Sequence, residues 1–150
     1  MAASQLTPQL RHMLSPRVGG TLGVCFAICF TQYALVAGLA AFLPTSPQGE
    51  GLSSVLLGAV FAAYPFACAL CSPMLPALLR ALGLRLSVAV GLAITSATSL
   101  CIGLTPLLPP PALGPALVIL RVLGGCGAGM AETGCFAAVS GMQELNAHIG

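Results

Sequence analysis

Between Arg17 and Glu50 the chain runs without one charged side chain, and two further charge-free runs follow, Gly51 to Leu79 and Leu86 to Leu120. A helix needs roughly 20 apolar residues to cross about 30 Å of hydrocarbon, so each run is long enough for one crossing. A fourth apolar stretch contains Arg121 and Glu132 and reaches about Ser140. Backbone N–H and C=O groups find no water inside a bilayer, so each of these stretches has to satisfy its own as a helix. The expected fold is an all-α integral membrane protein with four spanning helices, at about 18–43, 52–79, 86–104 and 115–140. A tail of residues 1–17 comes before them and a tail of residues 141–150 after.

Composition excludes the water-soluble classes. Of the 150 residues 57% are hydrophobic and 5% charged, which leaves too little polar surface to face water. The net charge is +2 with no basic run, so nucleic acid is not an expected partner and the lipid bilayer is. The seven cysteines fall almost entirely within expected helices, where they serve as small apolar packers. Cys68 and Cys71 form a C-x-x-C without a second pair at ligand spacing, so neither a metal nor a cofactor is expected. The two histidines, His12 and His148, lie in the tails. No nucleophile, base and orienting group converge, and no enzyme activity is expected.

The connections follow from breakers and caps. Pro44 closes the first helix, and Ser53 or Ser54 can cap the second, which Pro65 is expected to kink. Arg80 and Arg85 flank a loop short enough to make spans two and three antiparallel neighbours. Thr95, Thr98 and their neighbouring serines can bond their own backbone carbonyls or reach an adjacent helix. Pro106, Pro109, Pro110 and Pro111 are expected to keep Thr105 to Pro115 out of helix. The first run is too long for a signal-peptide core, so it is expected to stay as an anchor, although the acid-free leader also has a transit-peptide composition. Arg11, Arg17, Arg80 and Arg85 all fall on one side, which predicts a multi-pass protein with both termini in the cytosol.

Two charges stand inside the fourth span. Arg121 and Glu132 each cost at least about 2.5 kcal/mol at the bilayer centre, a cost usually met for a pathway, a proton relay or a buried pair. Eleven residues bring both onto the same helix face but about 16 Å apart, too far to pair. Each needs partners from other helices, and Gln32, with Thr31 and Tyr33 beside it, supplies the nearest polar groups. That places a cavity between spans one and four, with Arg121, Glu132 and Gln32 as the pathway residues. The alternative is that Glu132 reaches one interface and Arg121 snorkels to the other. Gly124, Gly125, Gly127, Gly129 and Gly134 follow Arg121, and the G-x-x-x-G spacing of Gly125 and Gly129 allows close backbone packing or sliding.

The segment Arg121–Gly127 resembles the R-x-x-x-G-x-G motif in the fourth helix of the major facilitator superfamily. Ser72–Arg85 resembles that superfamily's loop G-x-x-x-D-R-x-G-R-R in part. Gly83 and Arg85 sit on its second glycine and last basic residue, whereas Pro76 replaces the first glycine, Arg80 the aspartate and Ala81 the arginine. The gating contact that depends on the aspartate is therefore not carried over. Phe42, Leu43, Pro44, Gly51, Leu52, Ser53 and Gly58 look like the corresponding region of the vesicular amine and polyamine carriers.

The resemblance covers about Gly20 to Gly141 and implies secondary, proton-coupled transport of a small organic solute, with Arg121 as the functional arginine. Members of that superfamily have about twelve helices in two halves, so the chain is expected to be the N-terminal part of a carrier, completed by remaining transporter helices or another copy. Two other readings stay open. One is a small homodimeric four-helix cation exporter in which Glu132 exchanges protons. The other is a non-transporting tetraspan assembly subunit whose charges pair with partner helices.

Overall fold

The computed structural model describes residues 16–46 and 51–149. Arg11, His12, Glu50 and Gly150 lie outside the described residues, as does the rest of the expected N-terminal tail up to Ser15. The described chain forms five helices: α1 (Pro16–Phe42), α2 (Ser54–Cys71), α3 (Leu75–Leu82), α4 (Leu84–Leu104) and α5 (Pro110–Ile149). Four stretches are long and apolar enough to cross a membrane: Val18–Thr45, Ser54–Leu82, Leu84–Leu104 and Pro111–Gly141. The second joins α2 to α3.

Local chemistry explains the boundaries. Pro44 turns the end of α1 into a single 3-10 turn, Leu43–Thr45, and Ser46 Oγ donates to Leu43 O at 2.7 Å. Ser53 caps α2, its Oγ accepting from Leu56 N at 3.3 Å. The chain stays α-helical past Pro65, as expected, and is interrupted at the 3-10 turn Ser72–Met74. Pro73 and Pro76, three residues apart, each lack the N–H that a continuous helix would need there.

The expected loop between Arg80 and Arg85 is helical except for Gly83. That residue closes α3, its N–H donating to Leu79 O at 2.9 Å, and opens α4, its carbonyl accepting from Ser87 N at 3.1 Å. A φ of 80° makes this one-residue link possible, a conformation only glycine adopts at no steric cost.

The proline-rich connection is also shorter than expected. After the 3-10 turn Thr105–Leu107, α5 starts at Pro110 rather than Pro115. A helix's first turn has no use for its own N–H groups, so proline is tolerated there. At its other end α5 continues to Ile149, beyond the expected Ser140. Leaving the bilayer does not end a helix whose residues favour it, and this segment offers Met, Gln, Glu, Leu and Ala.

The helices are arranged around α5. Within the spanning windows, 56% of the α5 residues are buried, against 11% for each of the first two spans and 22% for the third. α1, α2 and α4 each pack on α5. α2 and α4, expected to be antiparallel neighbours, lie mainly on opposite flanks of α5, because a one-residue link constrains proximity at one end only.

Glycines permit this arrangement. A Cβ at Gly127 would lie 2.8 Å from Gly91 O, and one at Gly91 would lie 2.6 Å from Gly127 O, so α4 and α5 touch backbone to backbone. On the other flank a Cβ at Gly125 would collide with Tyr64 O, and one at Gly129 would meet Cys68 Sγ at 3.3 Å. A Cβ at Gly124 would lie 3.0 Å from Thr98 Oγ1. Lipid offers helices no hydrophobic drive to associate, so such close van der Waals packing holds them together. The buried face of α4 reads Ser87, Gly91, Thr95 and Thr98. Thr95 Oγ1 donates to Gly91 O at 2.9 Å and Thr98 Oγ1 to Thr95 O at 3.0 Å.

Large apolar side chains instead point outward, among them Phe26, Phe66, Leu100 and Phe136. One apolar plug lies inside, where Leu43, Val60, Leu113 and Leu117 join the ends of α1, α2 and α5.

Replacing Gly127 or Gly91 by Val should cost about 1–3 kcal/mol through overpacking, whereas Gly58→Ala, with nothing within 4 Å of the added carbon, should be near neutral. Unfolding midpoints in detergent distinguish them. The Sγ atoms of Cys71 on α2 and Cys126 on α5 lie 3.0 Å apart. Copper phenanthroline treatment should therefore join them in a disulfide detectable by peptide mass spectrometry; recovery of both as free thiols would contradict the α2–α5 packing.

Candidate functional site

The register of α5 puts a cation on its most buried face. Leu113, Leu117, Arg121, Gly124, Gly125, Ala128, Ala131 and Cys135 recur at helical spacing along that face, and all are buried. Arg121 is only 5% exposed. α1, α2 and α4 surround it.

Its surroundings are sparse in acceptors. The guanidinium carbon stands 5.4 Å from the centre of the Tyr64 ring on α2, a cation–π arrangement. The Tyr64 hydroxyl donates to Gln32 Oε1 on α1 at 3.3 Å, and Gln32 is 3% exposed. Three helices thus meet through Gln32, Tyr64 and Arg121. Two guanidinium nitrogens, Nε and Nη2, are buried without a hydrogen-bond partner. Among the described residues no carboxylate pairs with Arg121.

Arg121 also lines a cleft of about 330 Å³. Leu35, Leu39 and Phe42 of α1 form one wall, and Ser99 and Ile102 of α4 form another. The volume falls within the range of small-molecule sites, roughly 300–1,000 Å³. Its lining is apolar except for Arg121 and Ser99.

Glu132 occupies a different level of α5 and is half-buried. Its carboxyl acts electrostatically on Cys29 and Tyr33 of α1 and on Tyr64 and Cys68 of α2. Tyr64 is within the field of both Glu132 and Arg121. Among the described residues Glu132 makes no ion pair and no hydrogen bond.

The remaining sequence candidates separate. Thr31 spends its hydroxyl on Ala27 O of its own helix, at 2.8 Å, and Tyr33 is 63% exposed. Gly124, Gly125, Gly127 and Gly129 stand at helix–helix contacts rather than on the cleft. Gly83 and Arg85 lie at the α3–α4 link, far along the bundle from Arg121, and Arg85 is exposed. In the C-x-x-C pair, Cys71 meets Cys126 rather than Cys68. Sequence reasoning missed Tyr64, whose only distinguishing mark is a polar tip within an otherwise apolar run beside Pro65.

The fold and site together define a multi-pass membrane protein with a buried cation on an apolar cleft. A family model for sugar (and other) transporters matches residues 25–142, most of the chain. The chain belongs to that family of major facilitator transporters, in agreement with the motif around Arg121. The match is at family level and does not single out the vesicular amine and polyamine branch. No curated protein and no solved structure matches the chain.

Tyr64→Leu should destabilise the bundle by about 1–2 kcal/mol by removing the ring over Arg121. Tyr64→Phe keeps the ring and loses only the hydroxyl bond to Gln32, at a cost of about 0.6 kcal/mol. Equal losses in detergent unfolding would show that the ring contributes nothing to holding the cation.

Proposed function

We propose that the chain takes part in carrying a small organic solute across the bilayer by secondary transport, with Arg121 as the binding group in the α1–α4–α5 cleft. The observation that carries this reading is a buried Arg121 that lines a cavity of ligand size and has no carboxylate partner among the described residues. A charge held this way costs several kcal/mol unless something compensates it. A solute that brings a compensating charge or dipole into the cleft offsets that cost and gains affinity from it. The family description, which names sugars and other solutes, supports a solute as cargo.

Glu132 is the proton-exchanging group in this reading. It is half-buried, carries no partner cation among the described residues, and shares Tyr64 with Arg121, so its charge and the occupant of the cleft act on a common side chain. Both termini face the cytosol, with Arg80 and Arg85 at the same side of the bilayer. Alternating access needs a second bundle to rock against the first, supplied by remaining transporter helices or by another copy of the chain. The apolar residues exposed on α1 and α2 offer faces for either.

In proteoliposomes containing the complete transport unit, Arg121→Ala should abolish solute uptake, while Arg121→Lys keeps the charge, loses the planar fork and should retain only a fraction. Glu132→Gln should remove the dependence on an imposed pH gradient and leave solute exchange running. Full uptake by Arg121→Ala would overturn the assignment.

A further inference from the structure

Resting on the transport reading, we infer that the cleft selects an organic anion, a solute with one carboxylate and an apolar body, over neutral or cationic solutes. The chemistry of the walls carries the argument. A sugar presents hydroxyls all around and needs several side chains to answer them. The cleft offers one hydroxyl, on Ser99, besides Arg121. A protonated amine would enter an apolar space whose only charge has its own sign, and that repulsion is strong where the dielectric is low. A carboxylate instead meets an uncompensated cation.

Arg121 reaches the cleft lining without a counter-ion. Its Nε and Nη2 are shielded from solvent and have no partner, so nothing among the described residues neutralises its charge, and a carboxylate in the cleft gains the full attraction of a cation in low dielectric. Glu132 cannot serve as internal counter-ion, since eleven residues of helix separate it from Arg121 by about 16 Å. The rest of the lining, Leu35, Leu39, Phe42 and Ile102, suits a hydrocarbon or aromatic body. Ala34, Gly38 and Gly103 complete it, and the two glycines leave space, with nothing within 4 Å of a Cβ placed at either.

The test uses three probes of one shape and different charge: benzoate, benzylamine and benzyl alcohol. The full chain in phosphatidylcholine nanodiscs is titrated with each, and binding is read by saturation-transfer NMR and calorimetry. Benzoate should bind about ten-fold or more tightly than the other two, the factor a charge-assisted hydrogen bond supplies. Arg121→Gln should erase that preference.

Because Arg121→Gln can also disturb folding, Gly103→Leu provides a second variant that fills the cleft without touching the arginine. It should lose benzoate binding while keeping its helix content by circular dichroism. Equal binding of benzylamine, or undiminished benzoate binding in Gly103→Leu, would overturn the inference. An anionic lipid offers the same chemistry through its phosphate. If adding phosphatidylglycerol to the discs displaces benzoate, the occupant is a lipid headgroup and the solute assignment falls. A transport unit that moves a neutral solute while the chain ignores benzoate keeps the transport reading and loses this inference; benzoate binding without transport does the reverse.

Discussion

Backbone-to-backbone contact between α5 and its two flanks is the constraint on which the rest of the structure depends. Gly91 and Gly127 bring α4 against one side, and Gly125 brings the Tyr64 carbonyl of α2 against the other. In hydrocarbon a leucine gains nothing by leaving lipid for protein, so association has to come from tight packing and polar contacts. Small residues supply that packing here, while every phenylalanine but Phe61, and many leucines, stay on the outside. The inside of this bundle is thus smaller and more polar than its outside, the reverse of a soluble core.

Enclosure by three helices changes what a charge on α5 can do. At an exposed position the long arginine side chain would reach an interface and lose its cost by snorkelling. With α1, α2 and α4 around it, Arg121 keeps a ring at 5.4 Å and two unanswered donors. The hydroxyls nearby are handled differently: Thr95 and Thr98 return their protons to carbonyls of their own helix. Ser87 Oγ of α4, like two nitrogens of Arg121, is buried without a hydrogen-bond partner. What sets Arg121 apart is its charge and its place on the cleft.

Much of this was legible in the residues. Three long charge-free runs and a fourth apolar stretch implied four crossings, and the isolation of Arg121 and Glu132 within the fourth marked them at once. Gln32 stood out as a polar group within the first apolar run, and its burial beside Tyr64 follows from its place on the α5-facing side of α1. Tyr64 itself was not legible, because a tyrosine in an apolar run obeys no spacing rule. Prolines misled at the last connection, where Pro110 and Pro111 open a helix rather than prevent one, since the first turn needs no N–H groups. The pairing of spans two and three was misread because a short link suggests adjacency, while a single glycine at φ 80° lets the chain leave toward the far flank of α5.

The sequence by itself determined the number of crossings, their helical nature and the presence of two costly charges, because a bilayer leaves a long apolar segment no other way to satisfy its backbone. Tertiary structure alone decided which polar groups meet. Gln32, Tyr64 and Arg121 are 89 residues apart from first to last along the chain, and they come together only because glycines let separate helices approach within backbone contact. Burial in such a bundle depends on what lies across the helix interface, and no residue carries that information in its own local pattern.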